Sequence, residues 1–397
     1  MNSLPKTMRA LVLKELNGPL FLEEVPIPKP LAGQVLVKME ASPIHPADFS
    51  FMRGQYGITK PLPVIPGNEG CGVVIENGGG LYGWKIKGEK VAVASTVNST
   101  GTWAEYMVAD AIRCIPLSKD TTFEEGAFAL GNPITALGFY DVAMNEKARA
   151  VILSAGCSAV SRMSARYFQS KGIPVINIVR RKEQDDVLKG DGEKFVLNST
   201  EENFEANLKE VIDLVKPTVF FDSVGGTLTG IVLKAMPNKS VVYMYGFLSK
   251  DKCEIDGRDL RYKEKSLKGF FLSSWIKEKG NVKMLLVLNE MRNSLKTILK
   301  TNISKVICME EIDEGIKFYK KNMSEGKILI SFSKKKGVEI EEKKELEKEN
   351  INKQIAKEES VEKEELPNKQ IDIEESVEKK ELSSIEESKK EKENEKN

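Results

Sequence analysis

Short runs of β-branched and aliphatic residues, broken by glycine and proline, fill the first 125 positions of the chain. Arg9-Ala-Leu-Val-Leu13, Gln34-Val-Leu-Val-Lys38, Cys71-Gly-Val-Val-Ile75, Lys90-Val-Ala-Val-Ala94 and Trp103-Ala-Glu-Tyr-Met-Val108 each predict a strand. From about Phe123 the rhythm changes. Phe123 to Val142 is apolar with helical spacing and predicts one long helix. Strands are then expected at Ala150–Leu153, Val175–Val179, Val219–Asp222 and Val241–Tyr245. Helices are expected at Ala159–Lys171, Glu201–Val215 and Leu228–Met236. One helix between successive strands predicts an α/β architecture, a doubly wound parallel sheet covered on both faces. The segment from Ile303 to Phe332 ends in the apolar run Lys327-Ile-Leu-Ile-Ser331, a closing strand expected to return to the β-rich part. Three regions follow: 1–125, β-rich and completed by about 303–333; 126–302, the nucleotide-binding sheet; and 334–397, a tail.

The tail is what makes the composition unusual. The 397 residues are 41% hydrophobic and 30% charged, and much of that charge lies beyond Lys334. There Lys, Glu, Asn, Ile and Ser dominate. Asn352-Lys-Gln-Ile355 recurs as Asn368-Lys-Gln-Ile371, and Glu358-Glu-Ser-Val-Glu-Lys363 recurs as Glu374-Glu-Ser-Val-Glu-Lys379. Apolar residues are too sparse there to bury a core, which predicts a disordered or partly helical low-complexity tail. A partner-binding role is the competing reading. The whole chain carries a net charge of +1, so no global charge points to nucleic acid, and no apolar run is long enough for a bilayer. Five scattered cysteines without a Cys-x-x-Cys pair fit reduced thiols rather than a disulfide framework. The opening MNSLPKTMRALVL has neither a signal-peptide core nor an Arg/Ser-rich amphipathic helix, which points to the cytoplasm.

Candidate chemistry begins where the strand Ala150–Leu153 runs into Ser154-Ala-Gly-Cys-Ser-Ala-Val-Ser-Arg162. A dinucleotide-binding fold places its glycine-rich turn here, so that amides at a helix N-terminus approach a pyrophosphate. Only Gly156 is glycine; Ser158, Ala159 and Val160 open the helix in place of the other residues of the turn. The next strand ends in Asn177-Ile-Val-Arg180-Arg181. An acidic residue at that place would select NADH through the ribose hydroxyl. Two guanidinium groups can instead clamp a 2′-phosphate, which favours NADPH. A solvated surface pair is the alternative. Gly225, at the end of the following strand, and Tyr245-Gly246, at the end of the one after, are candidate cofactor contacts or plain turn residues.

The motifs PIHPADFSFMRGQYG, PVIPGNEGCGVV, GNPITALGFY, GIPVINIVRR and KGFFLSSW together resemble the medium-chain dehydrogenases and reductases. Within them the chain is most similar to zinc-independent 2-enoyl thioester (trans-2-enoyl-CoA) reductases, with NADPH:quinone oxidoreductases as close relatives. The resemblance runs from Met8 to Phe332 and implies a GroES-like β-rich domain followed by a Rossmann domain. Zinc alcohol dehydrogenases of this superfamily carry a Cys and a His where this chain has His45 and Asn68. The catalytic zinc needs three protein ligands around an open position, so the resemblance implies chemistry without metal. It places Tyr56 at the thioester carbonyl and Thr135 beside the nicotinamide. Arg180 and Arg181 fall at the 2′-phosphate, and Lys327 at the cofactor cleft. His45, Asn68, Phe271 and Trp275 would line the substrate pocket. His45 departs from the usual Asn, and Phe271 stands where the enoyl reductases have Trp. A homodimer is implied by analogy. Packing is the competing reading for Tyr56, and a structural role for His45, the only histidine.

The implied reaction is hydride transfer from NADPH to the β-carbon of an activated alkene, with a small-molecule enoyl thioester as acceptor. A quinone or enone reductase is the alternative within the same chemistry. A cofactor-binding scaffold whose tail recruits a partner is the alternative of another class.

Overall fold

The computed structural model describes residues 4–249 and 251–333. The expected tail from Lys334 lies outside them.

Nine elements build the β-rich part. They are β1 (Thr7–Leu13), β2 (Leu20–Pro26), β3 (Gln34–Pro43), α1 (Pro46–Met52), β4 (Glu69–Asn77), α2 (Leu81–Lys85), β5 (Lys90–Ala94), β6 (Tyr106–Asp110) and β7 (Ile115–Pro116). The helices α3 (Phe123–Ala127) and α4 (Gly131–Asn145) lead into the second sheet. There the chain alternates β8 (Val151–Leu153), α5 (Ala159–Ser170), β9 (Val175–Val179), α6 (Lys182–Gly190), β10 (Phe195–Asn198), α7 (Phe204–Val215), β11 (Val219–Asp222), α8 (Thr227–Ala235), β12 (Val241–Met244), α9 (Gly257–Tyr262) and β13 (Ser266–Gly269). A long α10 (Leu272–Ser294) follows, and β14 (Ile303–Ile307), α11 (Ile312–Lys321) and β15 (Lys327–Ser331) return the chain to the β-rich part.

The second sheet is wholly parallel, in the order β10-β9-β8-β11-β12-β13. This is the doubly wound arrangement, and its strand order reverses between β8 and β11. Helices cover both faces, so strands such as β8 and β9 are buried along their whole length and read as unbroken apolar runs. The β-rich sheet runs β14-β15-β3-β4-β5-β7, with β6 also paired to β3. Here β15 lies antiparallel to β3, Leu329 opposite Pro43 and Ile330 opposite Ser42.

The single helix expected over Phe123–Val142 is two helices. Thr122 caps α3 reciprocally with Glu125, its hydroxyl accepting the Glu125 amide at 3.1 Å while the Glu125 carboxylate accepts the Thr122 amide at 2.9 Å. The chain then breaks and restarts at α4, where Pro133 has no N–H to offer and suits only a first turn. A core runs from Ala41, Cys71, Ala92 and Leu329 of the first sheet through α3 and α4 to Leu153 and Phe221 of the second. The two sheets therefore share buried side chains rather than resting against each other. At its centre Phe139 stacks on Phe221 at 4.2 Å between ring centres.

Candidate active site

Two layers of polar groups face the junction of the sheets. The first belongs to the β-rich part. The turn after β3 starts α1 with Pro46 in its first turn, which fixes His45 and Asp48 at the helix start. The Asp48 carboxylate accepts the His45 amide at 2.6 Å and the Asn68 side-chain amide at 2.6 Å. His45 Nε2 lies 2.6 Å from Glu69 Oε1, and both side chains are buried. The other Glu69 oxygen accepts the Leu130 and Gly131 amides, at 3.1 and 2.7 Å. Glu69 thus neutralises the positive end of α4, the helix that carries Thr135. A side chain on Gly131 would put its Cβ 2.6 Å from Glu69 Oε1, so this contact needs glycine.

The zinc-ligand positions are accordingly spent on each other: His45 on Glu69, Asn68 on Asp48. Among the described residues no group of three or more His, Cys, Asp or Glu side chains is placed to hold a metal ion. Burial pushes the Asp48 carboxyl up to about 6. Tyr56 is half-buried at the edge of this layer, its ring edge-on to Phe271 at 6.0 Å. Burial, reinforced by the negative charges of Asp48 and Glu69, pushes its phenol up to about 12, so it stays a donor across the ordinary pH range.

The second layer lies at the carboxyl ends of β8, β11 and β12, at the point where strand order reverses. The Ser154 hydroxyl donates to Asp222 at 2.8 Å and accepts the Ser223 amide at 2.8 Å. Asp222 also accepts Thr229 Oγ1 at 2.6 Å and the Val224 amide at 2.8 Å. Ser158 caps α5 by accepting the Ser161 amide at 3.2 Å. The Tyr245 hydroxyl reaches Ser161 Oγ at 3.2 Å, which places Tyr245 at the first turn of α5. Ser158, Ala159 and Val160 are half-exposed there. Gly156 serves packing: its Cβ position is 3.0 Å from Asn177 Cβ and from Leu188 Cδ1. The left-handed corner of the turn is Ala155, at φ 46°. Gly225 is left-handed at φ 78°, and a Cβ on Gly246 would come within 3.1 Å of the Ser223 carbonyl oxygen. Both glycines thus have a reason in the chain's own conformation and packing.

Arg180 is exposed at the end of β9, and among the described residues no side chain holds its guanidinium. Arg181 donates to Ser324 Oγ at 2.8 Å, tying the edge of the parallel sheet to the loop before β15. Two expected residues stand apart from both layers. Lys327 is buried, its ammonium donating to the Tyr319 hydroxyl at 2.6 Å, so the charge is turned into the β-rich core instead of a cleft. Trp275 is buried with its indole N–H on Asp141 at 3.0 Å, and Phe271, one turn earlier, is the residue that meets Tyr56. Thr135 is half-buried on α4, and its hydroxyl makes no hydrogen bond among the described residues.

Sequence reasoning missed the clamp of Glu69 on α4 and the Ser154–Asp222–Ser223–Thr229 network. Glu69 stands out as a carboxylate inside Gly-x-Glu-Gly, but its amide partners lie some sixty residues away, where no local pattern reaches.

A β-rich lobe joined to a doubly wound parallel sheet, with polar groups gathered at the strand-order reversal, is an α/β arrangement with a switch point of the kind at which ligands bind. Residues 31–119 match the alcohol dehydrogenase GroES-like domain. The mitochondrial enoyl-[acyl-carrier-protein] reductase of Rattus norvegicus is 30% identical over 281 residues, covering 69% of this chain and 74% of the relative. Its counterpart in Arabidopsis thaliana is 29% identical over 284 residues, with the same coverage. A Mesorhizobium loti protein, provisionally named an NADPH:quinone reductase, superposes with a TM-score of 0.78 at 30% identity, over 83% of this chain and 100% of that one. The complex of Etr1p with NADP and crotonyl-CoA superposes with a TM-score of 0.69 at 20% identity, over 82% and 100%, and shares the fold. The chain belongs to the medium-chain dehydrogenase/reductase family, and like its relatives it is an oxidoreductase.

Proposed function

We propose that this protein is an NADPH-dependent, zinc-independent reductase of 2-enoyl thioesters. The observation that carries the reading is Tyr56: a neutral phenol at the edge of a buried His45–Glu69–Asp48 layer, facing an aromatic wall at Phe271. Conjugate reduction builds negative charge on the carbonyl oxygen, and a fixed donor that carries no charge of its own stabilises it. Tyr56 is that donor. Thr135, whose hydroxyl is uncommitted on the clamped helix α4, orients the reacting face of the cofactor.

The residues present fit NADPH. The helix α5 offers its capped N-terminus to a pyrophosphate, and the free guanidinium of Arg180 beside Arg181 suits a 2′-phosphate, with no carboxylate at the end of β9 to repel it. When bound, the nicotinamide supplies the hydride. The names of the curated relatives support the thioester acceptor, and that of the Mesorhizobium loti protein supports a quinone as the competing one. The exposed edge strand β13 is where a second copy would add in the homodimer that the family resemblance implies. The curated relatives are mitochondrial by name, and a cytoplasmic location remains our proposal from the sequence. Among the described residues no helix is long and apolar enough to cross a membrane.

The test is NADPH oxidation by the purified full chain with crotonyl-CoA against a 1,4-quinone, beside Tyr56→Phe. The expected result is thioester turnover that drops by about two orders of magnitude in the variant, the usual size for loss of one donor to a developing oxyanion. Quinone turnover alone, equal in both proteins, overturns the thioester reading.

A further inference from the structure

Lys60, four residues beyond Tyr56, is half-buried, and among the described residues no carboxylate lies within ion-pairing distance of its ammonium. Its two polar contacts are both to oxygen acceptors: Ser95 Oγ at 2.7 Å and the Ser99 carbonyl at 2.8 Å. A neutral amine has two N–H bonds, enough to satisfy both acceptors while its lone pair stays free. An ammonium would leave a third N–H to place. Burial pulls the group down to about 8 from 10.5.

The surroundings provide room as well as reactivity. Lys60 lines a cleft of about 300 Å³ whose apolar side is Pro61, Pro63, Val64, Ile65 and Val97 and whose polar side is Ser99 and Thr100. The apolar side has room for a short aliphatic chain. The lysine is also wired to the candidate active site. Ser95, its hydrogen-bond partner, donates its own amide to the Asn68 carbonyl at 2.7 Å, and Asn68 binds Asp48.

We infer that Lys60 is a self-acylation site, at which a short acyl thioester transfers its acyl group to the lysine amine and the chain is received by the adjoining apolar cleft. The neutral amine attacks the thioester carbonyl carbon. An N–C bond forms and the C–S bond breaks. The thiolate leaves with the electron pair and takes up the proton released by nitrogen, so the products are an amide and a free thiol. No oxidant, reductant or metal is required, and the step runs without NADPH. Acylation leaves one N–H where the neutral amine had two, next to Ser95 and beside Asn68, and the nitrogen can no longer take up a proton.

The test uses the full chain without cofactor. It is incubated with butyryl-CoA, a saturated thioester that cannot add to amines through its chain, and in parallel with a limiting amount of an acetyl N-hydroxysuccinimide ester. Sites are read by peptide mass spectrometry at pH 7, 8 and 9. Lys60 should lead in both series, label at least tenfold faster than the median lysine at pH 7, and level off near pH 8 to 9 while the exposed lysines keep rising. Lys60→Arg should abolish the leading site with the remaining pattern unchanged. Labelling spread over exposed lysines with Lys60 among the slow ones overturns the inference. Fast labelling by the active ester but none by butyryl-CoA overturns the thioester as acyl donor. Because reduction is measured separately with NADPH and crotonyl-CoA, failure of the labelling and failure of the reductase reading are told apart.

Discussion

Asp48 shows at the scale of one residue what burial does to a carboxyl group. Its carboxyl is fully buried and holds a proton up to about pH 6, where the unfolded chain releases it near 3.8. Between those values the native state binds more protons than the unfolded one. Its contribution to stability is therefore complete below pH 3.8 and is lost as pH rises through about 6. Two units correspond to about 3 kcal/mol. Urea unfolding at pH 4 to 7 should show this fall in the wild type and a flatter profile in Asp48→Asn. Equal slopes in the two proteins would show that Asp48 does not titrate in this range. Part of this layer is legible in the chain. His45 and Asn68 stand at recognisable places in a motif, and so does Tyr56. What each touches is not, because the contacts of Glu69 with α4 and of Lys60 with Ser95 join positions far apart in sequence, and only the folded sheet brings them to hydrogen-bonding distance.

At the scale of elements, legibility follows apolar content. β3, β4, β8, β9 and β11 are runs of aliphatic residues and announce themselves. By contrast β13, Ser-Leu-Lys-Gly, has one apolar side chain, and α6 has two in nine residues. The long α10 is interrupted by left-handed Gly280, at φ 70°, so no single helical period runs through it. The turn between β8 and α5 is the instructive case. Gly156 is its one glycine before the helix, yet the left-handed position is Ala155, a conformation that a Cβ disfavours. Ala155→Gly should therefore stabilise the protein by about 1 kcal/mol, read as a higher urea midpoint at unchanged slope. A lower midpoint would mean that the alanine methyl contributes more through packing than it costs in strain.

The whole molecule is organised around a core that belongs to both sheets. Leu329, on the last strand, is fully buried in the same cluster as Phe139 and Phe221. A cavity there is felt on both sides. Leu329→Ala should cost about 3 kcal/mol. Circular dichroism and tryptophan fluorescence should still report one coincident transition, since Trp103 lies in the core of the β-rich sheet and Trp275 against α4. Two separated transitions would show that the sheets unfold independently and that the shared core is not cooperative.

The pairing of β15 with β3 also dictates an order of events during synthesis. β3 is made before the parallel sheet and pairs along Gln34–Lys38 with β6, yet the neighbour of its Ala41–Pro43 end is β15, the last strand of the described residues, and the entire parallel sheet is made in between. The parallel sheet is continuous in sequence and can assemble as it emerges. The β-rich sheet must wait, incomplete at that place, until β15 has been made. That interval is when the nascent chain is most exposed to wrong strand pairing, so its yield should depend on chaperone holding of the strands of the β-rich sheet more than on anything within the parallel sheet.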